Sequence, residues 1–227
     1  MAGPTAEARV LVLLAHPDLR SSHVHRHLAK AAQALPPEQV QVRDLYALYP
    51  DHAIDVPAEQ AAAAAAELIV WQHPIHWYSM PALMKQWLDE VLALGWAYGP
   101  SGTALRGKDL WLVSSTGGPA SAYHPSGYNR YFFDAFLPPY EQTAALCGLR
   151  FLPPLVLHGA HALARAEVAA QAEVYAGRLS SYPRWPELDE LEACPTCVVP
   201  MDDRPQLTAS ATGDGMLLPA APARGAA

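Results

Sequence analysis

Continuous apolar runs punctuate the chain, and stretches of helical periodicity separate them. Residues 9–15 (RVLVLLA), 40–44, 68–71 (LIVW), 110–115 and 152–158 read as five strands. A run that is apolar at every position suits a strand covered on both faces, as in a parallel sheet flanked by helices. Residues 23–35, 58–66, 138–147 and 164–180 read as helices, with one more starting near Ser79. In that helix Ser79 can act as the cap, and Pro81 falls in the first turn, where a missing N–H costs little. Leu83, Met84, Trp87, Leu88, Val91 and Leu92 recur at helical spacing as its buried stripe. Residues 58–66 are helical on alanine propensity alone, residues 45–57 read as irregular, and Gly148 stops the helix before it. Pro153-Pro154 assigns the last strand to a sheet edge.

Strands alternating with helices predict an α/β fold, a doubly wound five-stranded parallel sheet in the order 2-1-3-4-5. This order puts the topological switch point between strands 1 and 3 and brings the loops after strands 1, 3 and 4 together there. The domain is expected over 9–182. From Pro183 the texture changes, with seven prolines in the last 45 residues and little periodicity. Residues 183–227 are therefore expected to form a loosely attached tail. The glycine-rich stretch 95–107 (GWAYGPSGTALRG) is too long for a tight connection and is expected to be functional.

Composition removes whole classes of function. A hydrophobic content of 51% with 16% charged residues describes a globular protein, and a net charge of −7 argues against nucleic acid as a partner. No apolar run reaches the length needed to span a bilayer, and MAGPTAEARV does not read as a secretory signal. Three cysteines make no disulfide framework, so a reducing cytoplasm is the expected compartment.

The three convergent loops carry the unusual chemistry. Ser21 and Ser22 open a helix, where free N–H groups and the helix dipole favour an anion. The plainer alternative is a serine that only caps the helix. Neither GxGxxG nor GxxxxGK[ST] is present, which weakens dinucleotide and P-loop readings. Trp77 and Tyr78 offer flat surfaces beside the switch point, or else core aromatics. Ser115-Thr116-Gly117-Gly118 allows a backbone to approach a ligand closely, or makes a plain turn. Phosphate seat, aromatic wall and close-approach backbone together point to flavin mononucleotide.

The phrases LLAHPDLRSSHVHRHL, RDLYALYPDHAIDVPAEQ, ELIVWQHPIHWYSMPALMKQWLDEVL, GWAYGPSGTALRGK, SSTGG and CGLRFLPPLVLHGAH fall within a span from about residue 10 to residue 180. Over that span the sequence resembles the flavodoxin-like NAD(P)H:quinone oxidoreductases, most closely the KefF/KefG type, ancillary proteins of glutathione-gated potassium-efflux systems. The resemblance implies a homodimer with one FMN (rather than FAD) per subunit, hydride passing from NAD(P)H to the flavin and on to a quinone. It also implies a cytoplasmic protein that can lie at the inner face of the plasma membrane against a potassium-efflux antiporter. The family's flavin contacts fall on His16, Ser22, His23, Val24 and His25, on Ile75, His76, Trp77 and Tyr78, and on Ser115, Thr116, Gly117 and Gly118. His25 stands where the family commonly has asparagine. Tyr123 falls near a tyrosine that approaches the quinone in wider quinone reductases, and Asn129 occupies the position of a histidine. Asparagine can hydrogen-bond an oxygen but cannot deliver a proton as an imidazolium can. Tyr123 and Asn129 are the expected catalytic pair, with water or Tyr123 completing proton delivery.

Two other readings stay open. A non-catalytic flavin-binding regulatory subunit of the antiporter would show the same cofactor residues. Ala15-His16-Pro17-Asp18 resembles the opening of zinc deacetylases, but Leu19 and Arg20 follow where a second carboxylate is needed. No metal site is expected. Cys194-Pro195-Thr196-Cys197 is a lone CxxC and reads as incidental or redox-sensitive. A simple electron carrier is disfavoured by the long loops, which supply walls for a substrate pocket.

Overall fold

The computed structural model describes residues 9–191. Five parallel strands, β1 (Val10–Leu14), β2 (Val40–Asp44), β3 (Leu68–Pro74), β4 (Asp109–Ser115) and β5 (Arg150–Leu157), form one sheet in the order β2-β1-β3-β4-β5. The doubly wound α/β prediction and its strand order are what the chain adopts. β1, β3 and β4 are buried at every position, which is why their sequences are continuous apolar runs.

Alternate residues of each strand feed two cores. Leu11, Leu13, Trp71, Leu110 and Leu112 meet Leu83, Met84 and Trp87 from α4 (Ala82–Val91) and Tyr140 from α5 (Pro138–Cys147). Val10, Val12, Val70 and Val113 meet Leu28 of α1 (His25–Gln33) and Val168 and Tyr175 of α6 (Arg165–Ser181) on the other face. Each fully buried large side chain contributes about 1.5–3 kcal/mol. The edge position of β5 follows as expected. A register irregularity between Trp111 and Val113 accommodates its prolines, and the Pro153 carbonyl accepts the Trp111 indole N–H at 3.1 Å.

Four expectations need correction. Residues 45–57 are not all irregular: α2 (Leu45–Leu48) and α3 (Val56–Ala65) are capped by Asp44 and Asp55, whose carboxylates accept the N–H groups of Ala47 and Ala58. Ser79 does not cap α4. Pro81 holds the cap position, and Ser79 instead closes a tight turn with His76. Leu92 lies past the end of α4 and is only half-buried. The segment 95–107 is structural, because Ala97 and Leu105 are fully buried and Trp96 and Tyr98 pack on the α4–α5 side of the sheet.

The expected boundary at Pro183 also moves. A 3-10 turn, Pro186–Asp189, follows α6, and Trp185 and Leu188 are buried in the second core. The Trp185 indole donates to the Arg178 carbonyl at 2.8 Å, the Arg178 guanidinium lies 4.1 Å from the Trp185 ring centroid, and Arg150 donates to the Leu188 carbonyl. The Cys194–Cys197 pair lies outside the described residues.

Candidate active site

The switch point opens where β1 and β3 diverge, and the loops after β1, β3, β4 and β5 meet above it. Backbone bonds fix their spacing: Ala15 N–H donates to Gln72 O at 3.0 Å, Ile75 N–H to Ser115 O at 2.8 Å, and Thr116 N–H to Leu157 O at 3.0 Å. Gly159 N–H to Gly118 O (2.8 Å) and Ala160 N–H to Thr116 O (2.9 Å) then lace the fourth loop to the fifth.

A cavity of about 280 Å³ lies between them. His16, Ser22, His23, Val24, Ile75, His76, Ser115 and Gly117 of the expected set all line it. Ser22 accepts the His25 N–H at 3.0 Å, which leaves its O–H hydrogen free to donate into the cavity. Among the described residues the N–H groups of His23 and Val24 meet no protein acceptor. No acidic residue stands in the first turn of α1 to compete for an anion. Ser21 is committed elsewhere, since its N–H and hydroxyl both bond Asp18 and hold the Asp18 carboxyl below the usual carboxylate range. Asp18 N–H donates to His16 Nδ1 at 3.1 Å, so the His16 hydrogen sits on Nε2. Burial, then the charge of His76, lowers the His16 pKa and favours the neutral ring.

A second cavity, about 200 Å³, adjoins the first through Ile75 and is lined by Trp77, Tyr78, Gly118, Tyr123, Tyr128 and Asn129. Its floor is a strained turn. His76 and Ser79 exchange two backbone bonds, 2.9 and 3.0 Å, around Trp77 (φ 48°) and Tyr78 (φ 63°). Left-handed backbone costs a residue with a Cβ about 1–2 kcal/mol, so the fold spends stability to present this pair. Trp77 is 94% exposed and Tyr78 half exposed, which removes the core-aromatic alternative for both. Tyr78 stacks on Phe136 and donates its hydroxyl to Asn129 Oδ1 at 3.2 Å, which leaves the Asn129 NH₂ to face a ligand oxygen. Burial raises the Tyr123 phenol.

Two expected cofactor contacts sit behind the cavities instead. His25 is buried, its Nε2 2.9 Å from Ser115 Oγ and its Nδ1 without a partner among the described residues, and burial drives its pKa well down. Thr116 is buried, and its hydroxyl donates to Gly118 O at 2.7 Å. The loop after β5 was missed: Ala160 and His161 line the first cavity, and the Gly117 Cα faces His161 Nε2. The phrase HGAH after the last strand was the available signal, because β5 neighbours β4 in the predicted order. Tyr128 was missed as well. A larger groove, about 570 Å³, opens beside β2, but Gln33, Leu35, Pro37, Val40, Gln41, Val42 and Ala65 give it no ionisable group. Among the described residues no three His, Cys, Asp or Glu side chains are grouped to hold a metal.

The sequence model of the flavodoxin-like fold matches residues 8–179. The chain belongs to the flavodoxin-like fold family. Its relatives there include the glutathione-regulated potassium-efflux system ancillary protein KefF of Citrobacter koseri, 45% identical over 76% of this chain and 96% of that protein. Among solved flavodoxin-like structures, general stress protein 14 of Treponema denticola in complex with FMN is 41% identical. It matches 76% of this chain and 98% of its own, with a TM-score of 0.72. The NADPH-quinone reductase of P. pentosaceus is 27% identical over 75% of this chain and 97% of its own, with a TM-score of 0.68.

Proposed function

We propose that this protein is an FMN-dependent NAD(P)H:quinone oxidoreductase. The observation that carries the reading is the pair of adjoining cavities sharing Ile75, one lined by hydroxyl, imidazole and free N–H donors and the other by aromatic rings. The donor set fits FMN. Ser22 O–H and the His23 and Val24 N–H groups would hold the phosphate at the start of α1. The glycine backbone of Gly117 and Gly118 would let a ring lie close, and the turn at Trp77 and Tyr78 would face its edge. FMN when bound supplies a two-electron hydride acceptor and donor.

The protein's own groups do the rest. Trp77, Tyr78 and Tyr128 give a planar substrate aromatic walls. Asn129 NH₂ orients a carbonyl oxygen, and Tyr123 O–H is the proton donor within the second cavity. The structural neighbour described as an NADPH-quinone reductase and the one holding FMN support this reading.

The relatives named as potassium-efflux ancillary proteins support a second role, binding a potassium-efflux antiporter from the cytoplasmic side. No described helix is long and apolar enough to cross a membrane. A homodimer is part of the proposal: Trp77 and Tyr128 stand exposed in the lining of the second cavity, Tyr131 and Phe132 stand exposed shortly after them in the chain, and a second copy would cover them. The test is a visible spectrum after incubation with FMN, then stopped-flow bleaching with NADH and NADPH and recolouring by a quinone. Bound flavin that bleaches and recolours is the expected result. Flavin that binds without bleaching leaves only the regulatory role, and no flavin binding overturns both.

A further inference from the structure

His25 stands behind the first cavity, yet it touches both Ser22 and Ser115 in the lining. Its backbone N–H is accepted by Ser22 Oγ at 3.0 Å, and its ring Nε2 lies 2.9 Å from Ser115 Oγ. Any residue other than proline supplies that backbone N–H, so only the second contact belongs to the imidazole. The residue is held from behind: Gln72 Nε2 donates to the His25 carbonyl at 3.3 Å, and Gln72 Oε1 accepts the Tyr175 O–H at 2.9 Å. Among the described residues the buried Ser115 hydroxyl has no other partner, and the buried His25 Nδ1 has none at all. Burial keeps the ring neutral, so it carries a single hydrogen. On Nδ1 that hydrogen would be an unpaired buried donor in the first turn of α1, among the free N–H groups of the helix start. A bare Nδ1 lone pair suits the positive end of the helix. The hydrogen therefore sits on Nε2 and is donated to Ser115 Oγ.

We infer that His25 is a positioning residue that commits Ser115 to donate its O–H into the first cavity, towards an acceptor atom of the flavin. This rests on the FMN reading above. A serine hydroxyl has one hydrogen and can act as donor or acceptor. With the His25 Nε2–H behind it, the Ser115 hydrogen meets no acceptor among the described residues and is left for a ligand. The opposite tautomer would consume that hydrogen at His25 Nε2 and leave the cavity one donor short. Ser22 is committed in the same way by the His25 backbone, so one buried residue turns both hydroxyls outward as donors. The free N–H groups of His23 and Val24 add to them, and no carboxylate stands in the lining. Such a wall suits a ligand rich in acceptor oxygens. His25 reaches that ligand only through Ser115 and Ser22.

The first measurement needs no variant. In the flavin-free protein, nitrogen NMR of the His25 ring should show the hydrogen on Nε2 and a bare Nδ1, and a hydrogen on Nδ1 overturns the proposal. FMN affinity is then read from flavin-fluorescence quenching. His25→Phe, which keeps a ring and removes the donor, and Ser115→Ala should each weaken FMN binding about tenfold, the loss of one hydrogen bond. His25→Gln places an amide N–H where Nε2 stood and should recover most of the affinity. The double variant His25→Phe with Ser115→Ala should be no weaker than either single one, because both remove the same contact. Equal loss in the glutamine and phenylalanine variants, additive losses in the double variant, or wild-type affinity in Ser115→Ala overturns the proposal. Wild type that binds no FMN overturns the FMN reading and with it the ligand named here. The tautomer, read without flavin, tells that failure from a wrong placement of the His25 hydrogen.

Discussion

Two buried polar regions of this protein are built on opposite terms. Around Glu59, which is wholly buried, every demand is met. Arg43 donates from Nε (2.7 Å) and Nη2 (2.5 Å) and Tyr49 from its hydroxyl (2.5 Å), all to Oε1, while the Trp87 indole donates to Oε2 at 2.8 Å. Around the switch point the demands are left open. Among the described residues His25 Nδ1 and His73 Nε2 are buried without partners, four histidines come together, and two aromatic residues adopt left-handed backbone. Buried polar atoms are normally paired. The saturated network ties α3 to α4 and β2. The unsaturated one carries strain in the turn at Trp77 and Tyr78, and unmet hydrogen bonds on two histidines that line neither cavity.

The sharpest break falls on the saturated side. Glu59→Ala strands Arg43 and the Trp87 N–H, and should cost about 3–5 kcal/mol in denaturant unfolding. The folded fraction should still bind FMN with wild-type affinity. A loss under about 1 kcal/mol would mean that the network is not the anchor described.

On the open side, pH is the lever. Burial holds the His73 pKa at about 4, below the ordinary 6.5. Between those values the unfolded chain binds a proton that the folded chain refuses. Stability is therefore complete above pH 6.5 and falls as pH drops towards 4, by roughly 3 kcal/mol from this residue. His25, also lowered by burial, pulls in the same direction. His73→Phe keeps the stack on Tyr140 and should flatten the slope. An equal pH slope in this variant would assign the effect elsewhere.

The strained turn gives a smaller effect with opposite signs in two assays. Trp77→Gly removes the left-handed penalty and should raise stability by about 1 kcal/mol, while weakening FMN binding measured by flavin fluorescence. A variant weaker in both assays would show that the turn is not strained.

The smallest effect is steric. A Cβ at Gly118 would come within 2.2 Å of the Tyr128 hydroxyl, the free end of an exposed side chain that can swing away. Gly118→Ala should change stability by less than about 0.5 kcal/mol. It should raise the quinone KM roughly threefold, the equivalent of one methyl group in a cavity. An unaltered KM would take Tyr128 out of the substrate wall.

Much of this protein was legible in one dimension. LIVW, RVLVLLA and LVSS needed no context to read as doubly covered strands, because burial on both faces removes the polar alternation that other strands require. The alternation of strands and helices then dictated the sheet order and the meeting of the loops that carry Ser22, Trp77 and Gly117. What failed depended on competition between local signals. Ser79 looked like a cap, but Pro81 follows it and the His76–Ser79 turn claims its backbone. Asp44 and Asp55 were real caps inside a stretch too short in apolar spacing to display its helices.

Sequence alone thus determined the architecture and most of the cavity lining, since periodicity, turn residues and connection rules act over a few positions at a time. Tertiary structure alone decided which polar atoms found partners. It turned His25 and Thr116 behind the cavities, brought His161 and Tyr128 to their edges, folded residues 183–191 onto the second core, and set His158 beside Thr116 and Tyr123. Those contacts join residues as much as 42 positions apart within the β4–β5 pair, as at Thr116 and His158. A hydrogen bond depends on distance in space, and spacing along the chain carries no record of it until the strands are paired.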